Sequence, residues 1–109
     1  MAAGTVYITE YTAPFVDIAR GMPMVLGPKI ANNNVTSAVG SVQTNAFSAT
    51  TRVIRVHNDS GGPVGVEVGG TNPTATAGGG ATASQRMAAS ATEYFYVNPG
   101  DKLAVIITT

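Results

Sequence analysis

The sequence predicts an all-β chain, folded as a β-sandwich or jelly roll with an extended proline-containing arm. Every strong hydrophobic pattern has a period of two, and no window longer than about ten residues repeats every 3.6 residues. Clusters of Gly, Pro, Asn and Asp cut the chain into short β-branched or aromatic runs, the spacing expected of a sandwich. Its 109 residues fit one domain, 1–109. A domain of this size buries roughly 65% of the surface its unfolded chain exposes, so the core is modest.

The first predicted strand is residues 6–11, where Val6 and Ile8 alternate with Tyr7, Thr9 and Tyr11. Residues 13–34 are predicted as an arm or loop, because Pro14, Pro23 and Pro28 exclude a helix and a central strand. The arm is nonetheless apolar, with Phe15, Val16, Ile18, Met22, Met24, Val25, Leu26 and Ile30. Asn32-Asn33-Asn34 marks a turn. Residues 35–47 regain weak strand character, with Val35, Val39, Val42 and Phe47 as candidate core residues.

Residues 51–70 read as a hairpin at the centre of the sheet. Its arms are residues 51–57 and 64–68, and Asp59-Ser60-Gly61-Gly62-Pro63 turns between them. Folding about Gly61 sets Ile54 opposite Val68, Val56 opposite Val66, and Arg55 opposite Glu67. One face is then apolar and the other carries a charge pair. Residues 69–91 form a Gly/Ala/Thr-rich loop region, with Gly78-Gly79-Gly80 as a flexible tip and a short strand near residues 84–88. Residues 93–97 are an aromatic strand in which Phe95 points away from Tyr94 and Tyr96. Asn98-Pro99-Gly100-Asp101 is a turn with Pro and Gly at its centre, and residues 102–108 are the last strand.

Charged residues make up 11% of the chain, against about 25% in an average domain. Six basic and six acidic groups cancel, so no net field favours nucleic acid or an anionic membrane. A surface with so little charge suits a subunit that is covered by neighbours. There is no cysteine, hence no disulfide, thiolate metal site or thiol nucleophile. The N-terminus lacks the basic and apolar regions of a secretory signal. The longest apolar run, residues 103–107, is far too short to span a membrane.

The chemistry-bearing residues read as structural. One histidine, His57, cannot furnish the usual zinc ligand sets, and beside a turn it serves packing or hydrogen bonding. Glu10, Asp17, Asp59, Glu67, Glu93 and Asp101 are scattered, and nothing pairs two of them as a glycosidase requires. Gly78-Gly79-Gly80 is not followed by Lys-Ser/Thr or a helix, so it is no phosphate loop, and Gly61-Gly62 leads into Pro63 and a strand. An enzyme is not expected, and no cofactor or metal is called for. Tyr94, Phe95 and Tyr96 are the aromatic concentration, suited to core and interface packing.

Several runs together resemble a group of small tailed-bacteriophage virion proteins. They are VYITEY at 6–11, AF at 46–47, TRVIRVH at 51–57, GTNPTAT at 70–76 and EYFYVNPGDKLAVI at 93–106. The resemblance covers 5–11 and 47–109, departs at 60–64 and 77–85, and leaves the arm unmatched. It implies a head-associated β-sandwich: a capsid cement or decoration protein bound to the major capsid protein on the outer surface of the virion, commonly as a trimer. A head-fibre or tail component that touches the host would share the same features. A glycan-binding sandwich module, with Tyr94 and Tyr96 as a stacking platform, is the alternative of a different class.

The arm points to self-association. Its apolar side chains need cover that a small Ala/Gly/Thr-rich core cannot supply, and a neighbouring subunit can. A homo-oligomer, most simply a trimer, is therefore expected. Phe15, Ile18, Met22, Met24 and Leu26 of the arm, with Tyr94 and Tyr96, are its expected contact residues with itself or with the capsid.

Overall fold

The computed structural model describes residues 3–12, 14–15, 25–26 and 28–109. The strands are β1 Thr5–Tyr11, β2 Pro14–Phe15, β3 Val25–Leu26, β4 Ala31–Asn32, β5 Val35–Thr36, β6 Val42–Gln43, β7 Val53–Asp59, β8 Val64–Val68, β9 Gln85–Met87, β10 Thr92–Tyr96 and β11 Leu103–Ile107. All their pairings are antiparallel. Sheet I runs β10-β7-β1, and β4 and β5 both lie along the far side of β1. Sheet II runs β6-β11-β8-β9. The two sheets pack face to face, as predicted: a β-sandwich.

The core lies between the sheets. Val6 and Ile8 of β1 and Ile54 and Val56 of β7 face Val64 and Val66 of β8, Leu103 and Val105 of β11, and Met87 of β9. Phe47 and Val97 join the cluster, with Val35, Val42 and Phe95 packed against it. Val39 departs from expectation. It lies in the β5–β6 connection and is 86% exposed, whereas Ser37, two residues earlier, is buried and exchanges hydrogen bonds with the Gly4 backbone.

The largest correction concerns residues 51–70. They form no hairpin, since β7 belongs to sheet I and β8 to sheet II. Ile54 lies between Glu10 and Phe95, Val56 between Ile8 and Glu93, and Arg55 between Thr9 and Tyr94. Val66 pairs with Val105 and Gln85, Val68 with Leu103, and Glu67 with Ala104. The Glu67 carboxylate instead accepts from the Ser84 hydroxyl at 2.8 Å. The predicted faces are right and the predicted partners are not.

The cause is Asn58, fully buried at the end of β7. Its amide donates to the Gly62, Met87 and Ala88 carbonyls at 2.9, 3.3 and 3.1 Å, and its oxygen accepts from the Ser60 amide and hydroxyl at 3.1 and 2.6 Å. These bonds hold residues 59–63 in an arch that carries the chain from one sheet to the other. Gly61 takes a φ of +84° within it, and Gly4 packs so closely that a Cβ there would stand 2.6 Å from the Ser60 Cα. Only glycine fits at that approach.

A second buried polar group, Glu10, closes the opposite end of β1. At 3% exposure, its carboxylate accepts from the Thr51 hydroxyl at 2.7 Å, the Ser48 amide at 2.9 Å and the Asn33 side-chain amide at 3.4 Å. It thereby ties the start of β7 to the β4–β5 break. Such groups are tolerated in a core only when hydrogen-bonded, and no buried side-chain polar atom among the described residues lacks a partner.

Asn32-Asn33-Asn34, predicted as a turn, is instead a break in one edge, since β4 and β5 on either side of it both pair antiparallel with β1, whereas the turn before β11 follows its sequence. Asn98-Pro99-Gly100-Asp101 closes with the Asp101 amide donating to the Asn98 carbonyl at 3.1 Å, and Gly100 has a φ of +84°. That is a type II turn, which needs Gly at its third position. The short strand predicted near residues 84–88 is β9.

Candidate interaction surface

The two outer faces of the sandwich differ. On sheet II, Ala104 and Ile106 point outward from β11 yet are buried, with Ala75 packed on them. The Gly/Ala/Thr-rich segment supplies that cover. Its backbone is strapped down by side chains: Ser41 accepts from the Ala75 amide at 2.9 Å, Ser84 from Thr76 at 2.8 Å, and Thr108 from Gly78 at 2.8 Å. The Gln43 amide donates to Asn72 and to the Pro73 carbonyl, both at 2.8 Å. A Cβ on Gly65 would lie 3.3 Å from Ile106 and 3.5 Å from the Thr76 carbonyl oxygen. Small residues let this segment lie close against the sheet.

Sheet I has a different outer face. Val6 and Ile8 turn inward, so β1 turns Tyr7, Thr9 and Tyr11 outward. On β7 the outward residues are Val53, Arg55 and His57, and on β10 they are Thr92, Tyr94 and Tyr96. The registers assemble these into rows: Tyr7, His57 and Thr92; Thr9, Arg55 and Tyr94; Tyr11, Val53 and Tyr96. All four tyrosines of the chain therefore share one face around Arg55. Tyr7, Tyr94 and Tyr96 are 42%, 48% and 73% exposed. Phe95 packs against the core, which settles the direction of the aromatic strand.

Of the residues predicted from sequence for this role, Tyr94 and Tyr96 fall on this face. Phe15 and Leu26 lie in β2 and β3, whose pairing of Pro14 with Leu26 and Phe15 with Val25 brings two parts of the arm together. Ile18, Met22 and Met24 lie outside the described residues. Residues 31–32 and 35–36 belong to sheet I, where the Asn34 side chain takes over as acceptor for the Ile8 amide at 3.0 Å. Sequence reasoning missed Tyr7, Tyr11 and Arg55 as members of the surface. The alternation in residues 6–11 carried the signal for the tyrosines, but their alignment with β10 across β7 is non-local.

His57 lies at the rim of this face, with Nδ1 2.7 Å from the Thr92 hydroxyl. Glu93 accepts from Gln85 at 2.7 Å, and Asp101 accepts from the Gly70 and Asn98 amides. Among the described residues no pocket opens, and no three His, Asp or Glu side chains converge as a metal site. No helix among them is long and apolar enough to cross a membrane. What the arrangement offers chemically is a sheet face on which three exposed tyrosines surround one guanidinium, with Val53 of the same face buried.

No family model matches the sequence, and no curated protein or solved structure matches the chain.

Proposed function

We propose that the protein is a non-enzymatic structural component of a tailed-phage virion, a capsid cement or decoration protein that binds the major capsid protein on the outside of the head. The observation that carries this reading is the tyrosine face of sheet I, three of whose four tyrosines are at least 42% exposed around Arg55. Tyr and Arg are enriched at the energetic centres of protein–protein interfaces, Tyr because it buries large area at small entropic cost and Arg because its planar guanidinium stacks and pairs in a fixed fork. A broad surface of this kind suits another broad surface. The resemblance of the sequence to small virion proteins and its low charge support the same reading. Self-association as a trimer through the arm would multiply weak individual contacts into a stable attachment.

The exposed Tyr94 and Tyr96 also favour a second reading, a carbohydrate-stacking platform. Co-sedimentation with capsids stripped of the protein, beside a glycan-binding screen, separates the two. The capsid reading expects saturable binding that weakens by roughly 30-fold or more in Tyr94→Ala/Tyr96→Ala, the loss of a single interface hot spot being about 2 kcal/mol. Glycan binding without capsid binding would overturn it.

A further inference from the structure

The edges of the two sheets are unequal. In sheet II the edge strands are β6, of two residues, and β9, of three. The β4/β5 side of sheet I is two dipeptides interrupted at Asn33-Asn34. Short or broken edges of this kind resist further pairing. The remaining edge, β10, has five regular residues, TEYFY, without Pro, Gly, Lys or a bulge.

The side of β10 that faces outward can be read from the ladder. The Asn58 amide donates to the Ala91 carbonyl, and the Val97 amide to the Arg52 carbonyl, both at 2.9 Å. Between these bonds Glu93 stands opposite Val56 and Phe95 opposite Ile54. Backbone polarity alternates along an antiparallel strand, so residues 91, 93, 95 and 97 direct their N–H and C=O groups at β7. The N–H and C=O groups of Thr92, Tyr94 and Tyr96 then point to the open edge, and among the described residues they take no partner.

We propose that β10 is a self-pairing edge, on which two copies of this chain join antiparallel about a two-fold axis at Tyr94. In that register Tyr94 meets Tyr94 of the second copy, and Thr92 meets its Tyr96, each pair exchanging two hydrogen bonds. Every outward group of the strand is satisfied. Centring the axis on Glu93 instead would set two carboxylates opposite each other, and centring it on Phe95 would leave the outward groups of Thr92 unpaired. The Tyr94 register alone uses the whole edge without a charge clash. The axis is perpendicular to the sheet, so both tyrosine faces lie on the same side of one continuous sheet. The contact concerns the chain's own pairing and stands whether or not the virion reading holds.

The test uses the absence of cysteine from the chain. Residues in a hydrogen-bonded antiparallel pair have Cα atoms about 5.5 Å apart, within disulfide range. Tyr94→Cys is expected to cross-link to a covalent dimer under mild oxidation at micromolar concentration. Tyr7→Cys, on the same face but two strands away, is expected to stay largely monomeric on denaturing gels. Tyr94→Pro removes one outward N–H, is tolerated at an edge, and is expected to lower the sedimenting mass by the two-fold contact. Equal cross-linking in the two cysteine variants would overturn the proposal, as would no cross-linking in Tyr94→Cys with the mass of Tyr94→Pro unchanged. So would a chain that pairs through β10 only with a strand of another protein.

Discussion

At the scale of single residues, Asn58 decides more of the architecture than any apolar side chain. It sits where β7 must leave sheet I, and it bonds the arch it begins and the end of β9 in sheet II. Removing it takes a donor from the buried Gly62 and Met87 carbonyls and the shared acceptor from the Ser60 amide and hydroxyl, while the Ser60 hydroxyl still reaches Gly62 and the Ala91 amide still serves the Ala88 carbonyl. Each unsatisfied buried group costs about 1–3 kcal/mol, although the groups can partly re-pair or admit water. Asn58→Ala is therefore expected to lower the unfolding free energy by about 3 kcal/mol in urea titrations. A loss below about 0.5 kcal/mol, the size of an ordinary surface substitution, would show that the hub is not structural. Nothing in the sequence marked Asn58. An asparagine beside Asp-Ser-Gly-Gly-Pro reads as turn chemistry, and its burial depends on β9, distant in the chain. Glu10 escaped notice for the same reason, because its partners Asn33, Ser48 and Thr51 come from other segments.

At the scale of elements, the alternation in the sequence separated the two faces of β1, β7 and β8 correctly, left open which face of β10 is buried, and carried no signal for β11, whose two faces are both covered. Period two encodes facing because successive side chains leave opposite sides of the backbone. It does not encode partners, and two strands joined by a short connection can pair or can arch between sheets. Residues 51–70 show the difference: the inward set Ile54, Val56 and Val66 suits either arrangement. A double-mutant cycle on Arg55 and Glu67 distinguishes them. The two residues occupy different sheets, so Arg55→Ala and Glu67→Ala should add to within about 0.5 kcal/mol. A coupling above about 1 kcal/mol would restore the hairpin pairing. The Gly/Ala/Thr-rich segment teaches a related lesson. Poverty in large side chains suggests a free loop, whereas here small size lets backbone lie against Gly65 and Ile106.

At the scale of the whole molecule, the sandwich has one outer face covered by its own chain and one that presents tyrosines, and it has one long regular sheet edge. That division is what the proposed attachment to a capsid rests on. The measurement that tests the central claim most directly is the position of the protein in purified virions, by quantitative mass spectrometry and labelled electron microscopy. The account predicts a fixed ratio to the major capsid protein that survives washing, with label spread over the outside of the head. Absence from washed virions, or label confined to the tail, would contradict it.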